Sequence, residues 1–169
     1  MENKLILDGK EYALSDELVA KLKESVAAQE WAKKTGNPFG AYEGLPYYYI
    51  DCLGGVCGAQ DSRSGADSRL IAVANYCRDK EMMEQRALHE TLDRLLWRYS
   101  EMHGGDNSWA TTDNRHHCIY MGVANGLSVT YFVAAKVQGV VYFKDEETAQ
   151  SAIEEVVKPF LAEHPEFMW

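Results

Sequence analysis

Gly139-Val-Val-Tyr-Phe-Lys-Asp-Glu-Glu-Thr-Ala-Gln-Ser-Ala-Ile-Glu-Glu155 reads as a strand that turns at once into a helix. Val140 to Lys144 is rich in β-branched and aromatic residues, the composition of a buried or half-buried strand. Asp145 follows as an N-cap, because its carboxylate can accept the orphan N–H groups of a first helical turn. Glu146 and Glu147 then sit where the positive end of the helix dipole favours anions. Ala149, Ala152, Ile153, Val156 and Phe160 recur at helical spacing and form one apolar stripe. Pro159 lacks a backbone donor and is expected to end or kink the helix near Lys158. Phe160 to Trp169 is expected to be a short terminal turn packed by Phe160, Leu161, Phe167 and Trp169.

A weaker copy of this junction lies upstream. Tyr76-Cys-Arg-Asp-Lys-Glu81 lines up with Tyr142-Phe-Lys-Asp-Glu-Glu147, and Ile50 lines up with Ile119 when one small gap is allowed. The elements before each junction share an order. In the first half Tyr47 to Leu53 reads as a strand, Gly54-Gly55 as a turn and Val56 to Gln60 as the return. A polar loop, Asp61 to Ser68, leads to an expected third strand, Arg69 to Tyr76. Asp79 then caps a helix running to about Met102, with Met83, Ala87, Leu92, Leu95, Leu96, Tyr99 and Met102 facing inward and Gly104-Gly105 ending it. The second half runs His117 to Val123, a turn at Asn125-Gly126, Leu127 to Ala134, and Val137 to Lys144 into the C-terminal helix. Duplication explains this agreement in order and capping better than chance does. The expected fold is α+β: an antiparallel sheet from two ββ-β-α repeats (about 47–103 and 116–169) with helices packed on one face. Residues 1–36 precede it as a hairpin-helix unit, with Asp8-Gly9 as a type I′ turn, Ser15 as N-cap, Leu18, Leu22 and Val26 as the apolar face, and Gly36 as the stop. Residues 37–46 read as a linker or an ordered loop.

The chain has 169 residues, a net charge of −9 and 46% hydrophobic residues, the profile of a globular protein with a sizeable core. No apolar run approaches a bilayer-spanning length and no signal-peptide core follows the N-terminus, so a cytoplasmic location is expected. The acidity disfavours direct nucleic-acid binding and suits either simple solubility or a partner with a basic surface. Asp145 to Trp169 carries seven carboxylates against Lys158, and counting Lys144 its local charge is −5. Asp145, Glu146, Glu147, Glu154 and Glu155 are the candidate partner-binding residues, since a carboxylate-rich helix can meet a basic groove as phosphates would. The competing reading is a solvated helix face.

Candidate chemistry is sparse. His116 and Cys118 share a strand face and His117 points the other way, which suits structural roles better than a metal cluster. His89 and Asp93 stand one helical turn apart, a spacing at which a carboxylate can orient an imidazole or simply face solvent. Cys52, Cys57, Cys77 and Cys118 form no tight pair of knuckles and read as structural thiols rather than a zinc site or disulfides. Tyr47, Tyr48 and Tyr49, with Trp31, Trp97, Trp109 and Trp169, read as core or boundary aromatics before binding anchors. No nucleophile-elbow, zincin or phosphate-loop motif is present. No cofactor, metal site or catalytic residue is therefore expected.

Residues 47 to 157 resemble small accessory proteins of phages and mobile elements of gut Firmicutes, most specifically in the block Gly139 to Ile153. The first repeat departs from that pattern at Cys77, where an aromatic is expected. Some proteins of this setting are anti-CRISPR inhibitors. The resemblance implies a non-enzymatic protein that binds and inhibits a host nucleic-acid enzyme in the bacterial cytoplasm, most concretely a CRISPR effector nuclease. It carries over no catalytic residues. A homodimer is compatible with this reading. The alternatives are a phage structural or assembly component, and a small metal-dependent enzyme using His116, Cys118, His89 or His103.

Overall fold

Hairpins and helices alternate along the chain in a computed structural model, which describes residues 4–7, 10–13, 15–23, 26, 37–106, 109, 114–124 and 126–169. The strands are β1 (Lys4–Leu7), β2 (Lys10–Ala13), β3 (Pro46–Ile50), β4 (Val56–Gln60), β5 (His116–Gly122) and β6 (Gly126–Phe132). They pair antiparallel as β1–β2, β3–β4 and β5–β6. The helices are α1 (16–23), α2 (Gly65–Ala72), α3 (Lys80–Met102), α4 (Glu146–Ala152) and α5 (Lys158–Glu163). The fold is α+β, and the chain divides into two compact units, Met1–Met83 and Glu84–Trp169.

In the first unit, Leu7 pairs with Lys10 across the expected Asp8-Gly9 turn, which itself lies outside the described residues. Ser15 caps α1 by accepting the Leu18 N–H at 3.2 Å. Leu18, Leu22 and Val26, the expected apolar face of that helix, are exposed. Its expected stop at Gly36 lies outside the described residues. Residues 37–46 are an ordered loop: Gly44 N donates to Asp61 O (2.7 Å), Asp61 N to Leu45 O (2.9 Å) and Arg78 N to Pro38 O (2.8 Å).

Arg69 to Tyr76 is not the expected strand. Its first half belongs to α2, because Ser64-Gly-Ala-Asp67 is a reciprocal capping box that starts a helix inside the expected polar loop. Ala74, at a φ of 55°, turns the chain out of that helix. Asp67 does more than cap. Its carboxylate accepts from the Tyr47 hydroxyl (2.7 Å), from Ser62 N and Oγ, and from Ser64 N and Oγ. Tyr47 stacks on Tyr76 at 4.3 Å, and the Tyr76 hydroxyl donates to Asp61 (3.0 Å). These buried groups satisfy one another, as a polar core must.

The hydroxyl of Tyr47, then the donors of Ser64 and Ser62, hold the Asp67 carboxyl far below the ordinary aspartate range. Burial and the same carboxylate push Tyr47 up to about 12. A depressed folded-state carboxyl contributes stability that is complete above its unfolded value and lost as pH falls through the folded one. Asp67→Asn is therefore expected to destabilise the first unit at pH 7 and to flatten its acid limb. Urea unfolding followed by circular dichroism at pH 7 and near pH 3 reads this; an unchanged acid limb contradicts it.

The second unit is built on β5–β6, paired from His116↔Phe132 to Gly122↔Gly126. Gly126 takes a φ of 66° where the hairpin turns back. The full third strand expected over Val137 to Lys144 contracts to one antiparallel bridge, His117↔Phe143. Two contacts explain this. Gly139 turns the chain at a φ of 78°, and the Tyr142 hydroxyl accepts from Val137 N (2.8 Å), folding the segment onto itself. Phe143, fully buried, joins Leu92 and Leu96 of α3 with Ala149, Ala152, Val157 and Phe160 in the core. Ile119, Leu127 and Val129 of the hairpin pack against that cluster. On α3 the inward set is as expected except for Met102, which is 75% exposed. The helix stop at Gly104-Gly105 is as expected, with both glycines at positive φ.

Pro159 does not end the C-terminal helix. Ile153–Val157 forms a π turn and the chain continues as α5 to Glu163. A π turn is a wider winding, and it removes the clash of the proline ring with the carbonyl four residues back.

The two units match in their bridges and their helix caps. Tyr48↔Cys77 in the first unit corresponds to His117↔Phe143 in the second, both antiparallel. That register equates Tyr47 with His116, Ile50 with Ile119, Tyr76 with Tyr142 and Cys77 with Phe143. Each junction ends in an aspartate cap: Asp79 accepts Met82 N at 3.0 Å and Asp145 accepts Thr148 N at 2.7 Å. Cys77, 1% exposed, fills the position that Phe143 fills in the second unit.

Candidate functional site

Three of the five candidate carboxylates line one depression, while Asp145 and Glu155 make contacts of their own. Asp145 is half-buried and committed to the cap of α4, where the Thr148 side chain and N–H hold its carboxyl below the usual range. Glu155 is exposed and turns toward Tyr99, whose hydroxyl is raised chiefly by burial and then by this carboxylate. Glu146, Glu147 and Glu154 come together. With Gln150 and Ser151 they line one shallow depression on the helix surface. The spacing accounts for it: positions 146, 147, 150, 151 and 154 fall on one stripe of a 3.6-residue helix.

The depression is unevenly neutralised. Lys158 Nζ bonds both oxygens of Glu154 (2.6 and 2.7 Å), an exposed pair that adds little stability. Glu146 and Glu147 make no ion pair among the described residues and lie in the first turn, where the helix dipole supports their charge. On the other side of the same helix Thr148, Ala149, Ala152 and Ile153 are buried. Asp145→Ala is expected to lower the stability of the second unit by about 1 kcal/mol through loss of the cap. Thermal unfolding reads this, and an unchanged midpoint contradicts the capping role.

The residues of the metal-enzyme alternative are placed as follows. His116 is fully buried; its Nδ1 lies 2.6 Å from Asp106, and its ring stacks on Trp109 at 3.4 Å. Its Nε2 has no hydrogen-bond partner among the described residues. Cys118 is buried on the same strand, and desolvation raises its thiol. His103 Nδ1 lies 2.8 Å from Tyr99 O, at the end of α3. Among the described residues no three histidine, cysteine, aspartate or glutamate side chains are placed to share a metal ion. Cys52, Cys57, Cys77 and Cys118 are all unbridged.

Sequence reasoning missed Gln150 and Ser151, which helical spacing from Glu146 and Glu147 would have found. It also missed Asp106 as the partner of His116, for which the aperiodic loop offers no signal. Among the described residues no helix is long and apolar enough to cross a membrane. Compared with protein-family models, curated proteins and solved structures, the chain matches none.

Proposed function

We propose that the protein is a non-enzymatic binding protein that presents the acidic face of α4 to a basic surface on a nucleic-acid enzyme and thereby inhibits it. The observation that carries this reading is the shared depression of Glu146, Glu147 and Glu154 on a helix whose opposite side is packed into the core. Two of those carboxylates, Glu146 and Glu147, make no ion pair among the described residues. A pair of exposed negative charges on a helix anchored in the core steers a positive partner. The net charge of −9 acts in the same direction at longer range. A channel that holds nucleic acid offers the complementary potential.

The resemblance to mobile-element accessory proteins makes an RNA-guided nuclease the first target to test. Co-elution of the purified protein with such a nuclease, together with loss of cleavage at stoichiometric inhibitor, is expected. Because the attraction is between charges, affinity is expected to fall as salt rises from 0.05 to about 0.5 M. No co-elution and unimpaired cleavage at large excess would remove the proposal for that nuclease class.

A further inference from the structure

A second cleft lies in the unit Glu84–Trp169 and shares no lining residue with the depression on α4. Leu92 and Leu96 of α3, Ile119 of β5, Val141, Phe167 and Trp169 line a cleft of about 200 Å³. His89 and Asp93 stand on the same wall, one turn apart on α3. The opposite wall is clamped. The Gln85 amide donates to Glu166 O (2.8 Å) and accepts from Met168 N (2.9 Å), which fixes the terminal segment on α3. Phe167, between those two bonds, lies 4.6 Å from the His89 ring and 5.4 Å from Phe160. Trp169 meets Phe167 edge-on at 6.2 Å. The aromatic wall is therefore assembled before any ligand arrives, which limits the ordering cost of binding.

Asp93 stays outside the ion pairs of its own stretch of α3. Glu90 takes Arg86 at 2.9 Å and Arg94 at 4.0 Å, so the arginines flanking this turn are engaged with it. Asp93 has no hydrogen bond or ion pair among the described residues, and desolvation by the cleft raises its carboxyl above the usual range, with His89 opposing in part. A cleft that sets leucine, valine and aromatic side chains beside one carboxylate with no hydrogen bond or ion pair among the described residues is matched by an apolar group carrying a cation. The size sets the rest: a cavity of roughly 150 Å³ accepts benzene, so this one takes a single aromatic ring with a short tail.

We infer that this cleft binds a small arylalkyl amine, its ring against Leu92, Leu96, Val141 and Phe167 and its ammonium on the Asp93 carboxylate. The probe is 2-phenylethylamine titrated into the full ¹⁵N-labelled chain. Saturable shifts of the Val140, Val141 and Trp169 amides are expected, with a dissociation constant on the order of 1 mM or below. Asp93→Asn, at an exposed position that folding tolerates, is expected to weaken binding about tenfold, as is the neutral probe 2-phenylethanol. Three results would overturn the inference: no saturable shift, unchanged affinity in Asp93→Asn, or shifts confined to Glu146 and Glu147, which would mark nonspecific capture of a cation.

Discussion

Phe143→Ala is expected to cost about 3–5 kcal/mol and to lower the melting point of the second unit by more than about 10 °C. Phe143 is fully buried, and its position is set twice, by the backbone bridge to His117 and by the cluster of α3, α4 and α5 residues around it. Truncation leaves a cavity that Ala149 and Ala152 are too small to fill, so the loss exceeds the transfer energy of the ring. The matching substitution in the first unit, Cys77→Ala, removes a single sulfur from the equivalent bridge and is expected to cost about 1 kcal/mol. Calorimetry of the two variants checks both. A Phe143→Ala protein melting within about 3 °C of the parent would mean that the junction is not the keystone of its unit.

The second large effect is functional. Reversing Glu146 and Glu147 together, as Glu146→Lys and Glu147→Lys, is expected to weaken partner binding about 100-fold, from about 1.5 kcal/mol for each close charge pair lost. Both side chains are exposed and neither serves the cap, so the fold is expected to persist with an unchanged circular dichroism spectrum. Glu155→Lys, on a carboxylate outside the depression, is expected to change binding far less. Equal losses from the double reversal and from Glu155→Lys would reduce the effect to net charge and dissolve the site.

What the sequence disclosed and what it hid divide by the range of the interactions. The caps at Asp79, Asp145 and Ser15 were legible because capping is settled within three residues. The three hairpins and the long helix were legible for the same local reason. The box Ser64–Asp67 was equally local, yet the apolar run Leu70-Ile-Ala-Val73 suggested a strand, and the capping chemistry prevailed. The second third-strand failed for two reasons that no alternation pattern encodes: the Tyr142 hydroxyl accepts from Val137 N five residues back, and Phe143 is held in the core against α3 and the C-terminal helices. The π turn before Pro159 belongs to the same class, since packing of Phe160 keeps the chain helical past a residue that disfavours it.

The candidate sites follow that division. The acidity of α4 was plain, but which carboxylates share a surface depended on Asp145 being taken by Thr148 and Glu155 being turned toward Tyr99. The i, i+4 pair His89 and Asp93 was visible as a spacing. Its cleft was not, because the other walls come from Ile119, Val141 and the terminal segment that Gln85 holds, all remote in sequence. His116 was correctly placed on a face with Cys118, while its partner Asp106 lies beyond a loop without period.

The most direct test of the acidic face as the working surface is a cleavage assay with a purified RNA-guided nuclease, run with the parent protein and with the Glu146→Lys, Glu147→Lys variant. The account predicts that the parent abolishes cleavage at stoichiometric amounts and that the variant requires about 100-fold more. Equal inhibition by the two proteins, or none by the parent at large excess, contradicts it.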